Sequence, residues 1–297
     1  MLEAGAPVRP SIGDVLCEAA AQLERAGVLN ARREATAIWA ALAGTKPGDV
    51  WLRRDGVAPV DAEERFREAV RRRSSGIPFP YVVGHAGFRT LNLKVDPRAL
   101  IPRPETEGLV ELVLEWGKGE GGRGKGGVAA DIGTGCGCIA LSLAVEGSFD
   151  RVIAVESAPE AAALARENVA RVAATTPVEV REGDLLAPLA RARCRVIVAN
   201  PPYLTAAEYD ALDPAVREYE PRAALVSGTD GLETTGRLLA GAGALLEPGG
   251  ALFLEIDERR ADAVQALARR HGWRRVGIHH DLFGRPRYAV AFLREDA

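Results

Sequence analysis

The chain is poor in the features that mark secreted, membrane-bound and zinc-binding proteins. Its 297 residues include four scattered cysteines, too few for a disulfide framework. Cys136 and Cys138 lie in a glycine-rich segment, but no histidine or second cysteine pair follows at zinc-like spacing. No apolar run approaches the roughly 20 residues that cross a bilayer, and the start lacks the basic-then-apolar order of a signal peptide. We therefore expect a cytoplasmic protein with no metal and no membrane partner.

The chain also lacks an excess of positive charge. Its net charge is −3 at pH 7, so it has no global basic field to drive nonspecific nucleic-acid binding. We therefore do not expect direct nucleic-acid binding. The four histidines lie at position 85 and near the end of the chain, away from the ends of the predicted strands. The sequence indicates no dedicated histidine base.

Apolar residues make up 47% of the chain, which is enough for a substantial core, and the length favours a large domain with a smaller one. Apolar residues recur at helical spacing from residue 11 to about 75, which predicts a small helical bundle as a first domain at 1–75. Ser11 is a good N-cap for its first helix, and Asp61 with Glu64 predicts a capping box for its third. This bundle is a candidate for substrate recognition.

Residues 76–104 differ in character from those before them. Prolines, glycines and the alternating segment 91–95 predict a β-hairpin connector there. From 105 to 297 short apolar strands alternate with helices, which predicts a parallel sheet with helices on both faces. The last two strands, on either side of a turn at 284–286, predict an antiparallel pair at the end of the sheet. The seven strands are predicted at 128–132, 151–155, 178–181, 195–199, 251–256, 273–279 and 288–293.

Ligands bind such sheets beyond the carboxyl ends of the strands. The first strand ends at Asp131, and a loop of sequence G-T-G-C-G follows at Gly133, Thr134, Gly135, Cys136 and Gly137. Its glycines let the backbone turn sharply and approach a ligand, with the next helix N-terminus facing it. Because this turn occurs in several nucleotide-binding folds, it leaves open a dinucleotide oxidoreductase or a catalytically silent binding module.

The next two strands end in acidic residues. Glu156 follows the loop by about twenty residues, where a carboxylate can accept hydrogen bonds from both hydroxyls of a ribose. Its alternative role is a negative charge at a helix N-terminus. Asp184 is placed to accept a hydrogen bond from the exocyclic amine of an adenine, with Leu185 packing on the base. The alternative for these two residues is a plain turn.

The fourth strand delivers Asn200, Pro201, Pro202 and Tyr203 to the same edge of the sheet. The two prolines fix the backbone and remove two N–H donors, so the Asn200 side-chain oxygen and the Pro201 carbonyl remain as acceptors. Two acceptors off the plane of a conjugated –NH₂ group direct its lone pair toward a methyl donor, and Tyr203 can stack on the planar acceptor. The tetrapeptide therefore predicts methylation of a planar nitrogen.

These four segments, in this order, resemble the seven-stranded class I S-adenosylmethionine-dependent methyltransferases, and N-P-P-Y resembles their amino-methylating branch. Further motifs narrow the resemblance to the HemK/PrmC family, and it covers nearly the whole chain. The motifs are G-I-P-F-P-Y at 76–81, L-I-P-R-P-E-T-E at 100–107 and Y-E-P-R at 219–222.

The resemblance implies an α/β fold, with a seven-stranded Rossmann-like sheet at 105–297 and a small helical N-terminal domain. It implies transfer of a methyl group from S-adenosyl-L-methionine, without metal, to glutamine N5 in the G-G-Q motif of peptide chain release factors. Together with the residues themselves it predicts a cofactor site at Asp131, Gly133 to Gly137, Glu156, Asp184, Leu185 and Asn200. The predicted substrate site is Asn200 to Tyr203, in which Asn200, Pro201 and Tyr203 are catalytic.

The sequence departs from the family pattern at two positions. Members usually carry aspartate where this chain has Glu156, and an aromatic residue often stands at Leu185. An amino methyltransferase acting on adenine in DNA or guanine in RNA remains the alternative, because those bases present the same planar –NH₂ group after base flipping. The acidic balance and the lack of a recognisable target-recognition domain weigh against it.

Overall fold

The structure is a computed structural model that describes residues 9–118, 126–190 and 192–293. The chain forms two compact units, Met1–Gly84 and His85–Ala297. The division falls inside the predicted connector at 76–104.

The first unit is helical and packs around its own apolar core. The ring of Trp39 meets that of Phe66 edge to face with centroids 5.0 Å apart, and Val15, Leu23 and Ile38 are buried beside them. These residues recur at helical spacing, so each helix turns one apolar face inward. The helices are α1 (Ile12–Arg25), α2 (Ala31–Ala43), α3 (Pro47–Leu52), α4 (Val60–Ser74) and α5 (Phe79–Val83).

Ser11 caps α1 as predicted, because its side chain accepts a hydrogen bond from the backbone N–H of Asp14. The cap predicted for the third long helix is wrong. Pro59, in an extended conformation, is the N-cap of α4, and Asp61 already lies in the first turn. There its charge faces the positive end of the helix dipole without capping a backbone N–H. Glu64 therefore completes no capping box.

The second unit begins with an antiparallel hairpin of β1 (His85–Phe88) and β2 (Leu91–Lys94). A seven-stranded sheet follows, in the strand order β5-β4-β3-β6-β7-β9-β8, which confirms the predicted fold class. Its strands are β3 (Val128–Ile132), β4 (Arg151–Glu156), β5 (Val178–Glu182), β6 (Cys194–Ala199), β7 (Leu246–Glu255), β8 (Arg275–His280) and β9 (Pro286–Phe292). Its helices are α6 (Pro104–Lys118), α7 (Cys138–Glu146), α8 (Pro159–Arg171), α9 (Ala206–Asp210), α10 (Pro214–Tyr219), α11 (Glu233–Gly241) and α12 (Ala261–Arg270).

The register of the parallel strands brings their carboxyl ends together. Ile132 at the end of β3 pairs with Val155 of β4 on one side and with Ala199 of β6 on the other. All three side chains are buried, as expected for strands with helices on both faces. The residues that follow these strands therefore meet at one edge.

The last two strands run antiparallel to their neighbours, as predicted, and β9 pairs with β7. In this pairing Glu255, at the end of β7, lies opposite Tyr288. β7 begins at Leu246, earlier than the predicted strand at 251–256. In the described parts of the chain, no helix is long and apolar enough to cross a membrane.

Candidate active site

A cavity of about 280 Å³ opens where β3, β4 and β6 end. A wider hollow of about 430 Å³ lies beside Pro248 and Gly249, near the start of β7. Because parallel sheets bind ligands at the carboxyl ends of their strands, we assign the site to the first cavity. Its wall contains most of the predicted site residues, namely Gly133, Thr134, Gly135, Cys136, Glu156, Asp184, Leu185, Asn200 and Pro202. The other predicted residues, Asp131, Gly137, Pro201 and Tyr203, do not line it.

The glycine loop is held in shape by its own backbone. Gly133 and Thr134 both donate their N–H groups to the carbonyl of Val155, each at 2.9 Å. Gly137 has a φ of +90° and is the N-cap of α7, a conformation that favours glycine. The loop thus joins β3 to α7 in a tight turn at the cavity wall.

Asp131 lies beneath this loop and is fully buried. Its Oδ2 accepts hydrogen bonds from the Thr134 hydroxyl at 2.5 Å and from the backbone N–H of Ala140 at 3.0 Å. Burial raises the pKa of this carboxyl group to about 7. Within the described structure its Oδ1 has no hydrogen-bond partner. In this arrangement Asp131 fixes the loop from behind the cavity wall.

The carboxylate of Glu156 faces both the loop and the start of α8. Its Oε2 accepts from the backbone N–H of Gly135 at 2.9 Å, and its Oε1 accepts from Ser157 and Ala158 at 2.8 and 3.0 Å. Ala158 is the N-cap of α8, so Glu156 also places its charge at a helix N-terminus. A carboxylate has about four acceptor positions and three are used here, so one remains for a donor from the cavity.

Asp184 and Leu185 form another part of the wall. Asp184 is exposed, and its carboxylate pairs with the guanidinium of Arg237, which also lines the cavity. Leu185 has a φ of +45°, in the left-handed region that a branched side chain rarely adopts. Such strained residues cluster at ligand sites. The structure therefore places both side chains at the cavity, with Asp184 already paired.

Asn200 ends β6 at the cavity, and its side-chain Nδ2 donates to the hydroxyl of Thr106 at 3.1 Å. The two prolines follow, Pro201 buried and Pro202 in the wall. The chain beyond is anchored, because Leu204 donates to the carbonyl of Leu225 at 2.9 Å. The tetrapeptide is thus fixed at both of its ends.

Tyr203 lies next to this anchor. A Cβ built on Gly231, which has a φ of +76°, would come within 2.3 Å of the Tyr203 carbonyl oxygen, so the approach requires glycine. Burial, reinforced by the negative charge of Glu255, raises the pKa of the Tyr203 phenol to about 12. Tyr203 therefore stays a neutral aromatic ring at physiological pH.

Sequence reasoning assigned no role to several residues that shape this site. The buried Glu220 carboxylate accepts from the backbone N–H of Ile101 at 3.1 Å and pairs with Arg103. Thr106 and Glu255 are hydrogen-bonded to each other at 2.7 Å. Arg103 and Thr106 lie in the motif at 100–107, and Glu220 lies in Y-E-P-R. Their place in these two motifs is the feature of the sequence that could have singled them out.

Cys136 lies in the loop, Cys138 is the first residue of α7, and both line the cavity. A hydrogen bond between them and burial raise the pKa of the Cys138 thiol above its usual value. Among the described residues, no group of three or more histidine, cysteine or acidic side chains is arranged to hold a metal ion.

Two family models match the chain. The model described as the PrmC N-terminal domain matches residues 14–84, and the model described as the methyltransferase small domain matches residues 120–217. Among solved structures, a methyltransferase from Pyrococcus furiosus is similar at a TM-score of 0.52 and 22% identity, over 70% of this chain and 91% of that one. The N-terminal domain of human METTL16 in complex with SAH is similar at a TM-score of 0.53 and 16% identity, over 86% and 94% respectively. These likenesses concern the fold.

The sheet order, the cavity at its carboxyl edge and the match to the methyltransferase small domain together define a methyltransferase of the seven-stranded class I type. The release factor glutamine methyltransferase of Moorella thermoacetica is 40% identical over 289 residues, which are 96% of this chain and 100% of that protein. The protein of the same name from Deinococcus radiodurans is 39% identical over 280 residues, covering 94% and 97%. The chain belongs to the release factor glutamine methyltransferase family.

Proposed function

We propose that this protein transfers a methyl group from S-adenosyl-L-methionine to the side-chain amide N5 of the glutamine in the G-G-Q motif of peptide chain release factors. The observation that carries the proposal is the position of Asn200, whose amide shares one cavity with Glu156 and the glycine loop. Family membership over nearly the full chain favours a protein glutamine as the acceptor, rather than adenine or guanine.

The residues around the cavity fit this cofactor. The loop Gly133 to Gly137 brings backbone close to a ligand, and Glu156 retains one acceptor position for a ribose hydroxyl. Leu185 and Ile139 add apolar surface to the wall against which an adenine can pack. When bound, the cofactor supplies a methyl group on a positively charged sulfur, which is already electrophilic. The proposed transfer therefore needs no metal.

The chain's contribution is to position the acceptor and to polarise it. Asn200 Oδ1 and the Pro201 carbonyl each accept a hydrogen bond from one N–H of the glutamine amide. These two hydrogen bonds turn the nitrogen lone pair toward the methyl group. Tyr203 does not line the cavity, and its stacking on the planar amide is proposed from its place in the tetrapeptide. The methylated nitrogen is strongly acidic until it loses a proton, so the proton leaves to solvent and no general base is required. Positioning and electrostatics carry the catalysis.

The rest of the chain is assigned by the same proposal. The bundle at 1–75 contacts the protein substrate, the connector at 76–104 joins it to the transfer domain at 105–297, and the reaction takes place in the cytoplasm. The free cysteines fit a reducing compartment. The net charge of −3 fits a protein substrate rather than a nucleic acid.

The test is transfer of labelled methyl from S-adenosyl-L-methionine to purified release factor. We expect the label on the wild-type factor, and none on a factor whose G-G-Q glutamine is replaced by alanine. An Asn200→Ala enzyme is the second control and should transfer little. Label on DNA or RNA with none on the release factor would contradict the proposal and favour a base-modifying amino methyltransferase.

A further inference from the structure

The Asn200 amide group has two ends, and only one of them suits the proposed reaction. Its carbonyl end can accept a hydrogen bond from an incoming –NH₂ group, whereas its own –NH₂ end can only donate hydrogen bonds. Asn200 Nδ2 donates to the Thr106 hydroxyl at 3.1 Å. This contact leaves Oδ1 as the end available to the acceptor amide.

The hydroxyl of Thr106 has its direction set by a second contact. The hydroxyl donates its single hydrogen bond to Glu255 Oε2, with the two oxygens 2.7 Å apart, so the lone pairs of the hydroxyl face Asn200. Thr106 and Glu255 are each only 2% exposed, so water has little access to reverse this chain of hydrogen bonds. A lone pair at this position is complementary to the –NH₂ end of Asn200 and repels its carbonyl end.

Glu255 lies at the end of β7 in a pocket that contains charges of both signs. Burial raises the pKa of its carboxyl group to about 7, against the lowering effects of the Thr106 hydrogen bond, of Arg287 and of a hydrogen bond from the Asn200 side chain, so Glu255 also holds the –NH₂ end of Asn200 directly. Glu105 on α6 and the two tyrosines Tyr203 and Tyr288 also face it. Above that pH the ionised carboxylate can only accept, which keeps the Thr106 proton pointed at it.

Thr106 is held in place by the wall behind it. The Tyr288 hydroxyl donates to the carbonyl of Glu105 at 2.6 Å, and Tyr288 pairs with Glu255 across the sheet. The contact requires glycine at position 108, where a Cβ would come within 2.2 Å of the Tyr288 hydroxyl oxygen. The first turn of α6 is therefore fixed against the ends of β7 and β9.

We propose that Thr106, with Glu255 behind it, is a positioning residue that locks the Asn200 amide with its oxygen toward the methyl acceptor. The inference rests on the proposed function, since it explains how that site presents an acceptor atom rather than a donor. It also gives the threonine of the motif at 100–107 a physical role, although Thr106 need not touch the substrate.

The test compares Thr106→Val, which keeps the shape and removes the hydroxyl, with Thr106→Ser, which keeps the hydroxyl. Thr176→Val is the matched control, because it removes a partly buried hydroxyl that bonds only the Phe149 carbonyl, at 3.3 Å. For each variant we would measure kcat and KM for methyl transfer to release factor, the Kd for S-adenosyl-L-methionine by calorimetry, and the melting temperature. The assays are run above pH 7, where Glu255 is mainly ionised.

We expect kcat to fall roughly tenfold to a hundredfold in Thr106→Val, the effect of one lost hydrogen bond to a buried polar group. Cofactor Kd should change little in Thr106→Val, whereas its melting temperature should fall modestly, because the buried Glu255 carboxylate loses the hydroxyl donor. Thr106→Ser and Thr176→Val should stay close to wild type in all of these measurements. Wild-type kcat in Thr106→Val would overturn the inference while leaving the proposed function intact. Loss of cofactor binding in parallel with kcat, or a kcat in Thr106→Ser as low as in Thr106→Val, would also overturn it, by showing that the hydroxyl does not act through Asn200. A wild-type enzyme with no transfer at all would instead overturn the proposed function.

Discussion

Replacing Gly108 by alanine puts a methyl group where α6 passes Tyr288. The new Cβ would lie 2.2 Å from the Tyr288 hydroxyl oxygen and 2.9 Å from the ring carbon that carries it. Both distances are well inside ordinary contact, so the tyrosine must move. Moving it breaks the 2.6 Å hydrogen bond from its hydroxyl to the Glu105 carbonyl.

The size of the effect follows from three contributions. Overpacking costs about 1–3 kcal/mol, and the lost hydrogen bond costs about 1 kcal/mol more. Alanine is a better helix former than glycine, which returns about 1 kcal/mol. We therefore expect Gly108→Ala to lower the free energy of unfolding by roughly 1–3 kcal/mol. The free energy of unfolding falls because the steric cost outweighs the gain in helix propensity.

A double-mutant cycle with Tyr288→Phe isolates the clash. The phenylalanine lacks the oxygen at 2.2 Å and has no hydrogen bond to lose, but it keeps the ring carbon at 2.9 Å, so Gly108→Ala should cost clearly less in that background without becoming neutral. The two substitutions should therefore couple by about 1 kcal/mol or more. The assay is urea unfolding of the full chain, monitored by fluorescence and by circular dichroism. Equal costs of Gly108→Ala in both backgrounds, within about 0.5 kcal/mol, would refute the reasoning.

Three other substitutions test the hydrogen bonds and the buried carboxyl group around the glycine loop. Glu156→Gln should weaken the binding of S-adenosyl-L-methionine, measured by calorimetry, about tenfold or more, because charge-assisted hydrogen bonds are lost. The control Glu160→Gln changes an exposed glutamate and should leave the affinity unchanged. Equal affinities in the two variants would count against the ribose contact. The fully buried amide of Asn168 bonds three backbone groups, two in β2 and one in the glycine loop, at 2.8–2.9 Å. Asn168→Ala leaves these groups without that partner, so the free energy of unfolding should fall by roughly 3 kcal/mol. An unchanged urea midpoint would contradict this. Burial raises the folded-state pKa of Asp131 from 3.8 to about 7, so between these values the folded chain binds more protons than the unfolded chain and stability falls as pH rises. Asp131→Asn cannot ionise and should gain stability relative to wild type as pH rises through that window; parallel curves of stability against pH would refute the assignment.

Local patterns in the sequence predicted the parts of the fold that depend on local interactions. β3 has the predicted bounds at Val128–Ile132, because a short run of apolar residues between turn signals forms a fully buried strand. α1 begins directly after its predicted N-cap, Ser11. Long-range pairing decided the start of β7 instead. Its first residue, Leu246, pairs with Cys194, although the Pro-Gly-Gly segment that follows is typical of a turn.

The site divides in a similar way. Residues directly after strands could be placed at one edge, because the carboxyl ends of parallel strands meet there. The contact between Thr106 and Glu255 joins residues 149 positions apart, and no local pattern indicates which side chain α6 sets against the end of β7. The pairing of Asp184 with Arg237 spans 53 positions and escaped prediction for the same reason.

The central claim is that the acceptor is one glutamine nitrogen, and peptide mass mapping tests it most directly. Release factor is incubated with the enzyme and S-adenosyl-L-methionine, digested, and sequenced by fragmentation. The account predicts the mass of one added methyl group on the glutamine of G-G-Q, absent when the Asn200→Ala enzyme is used. A methyl group on any other residue, or none on an acceptor that a related methyltransferase modifies in parallel, would contradict it.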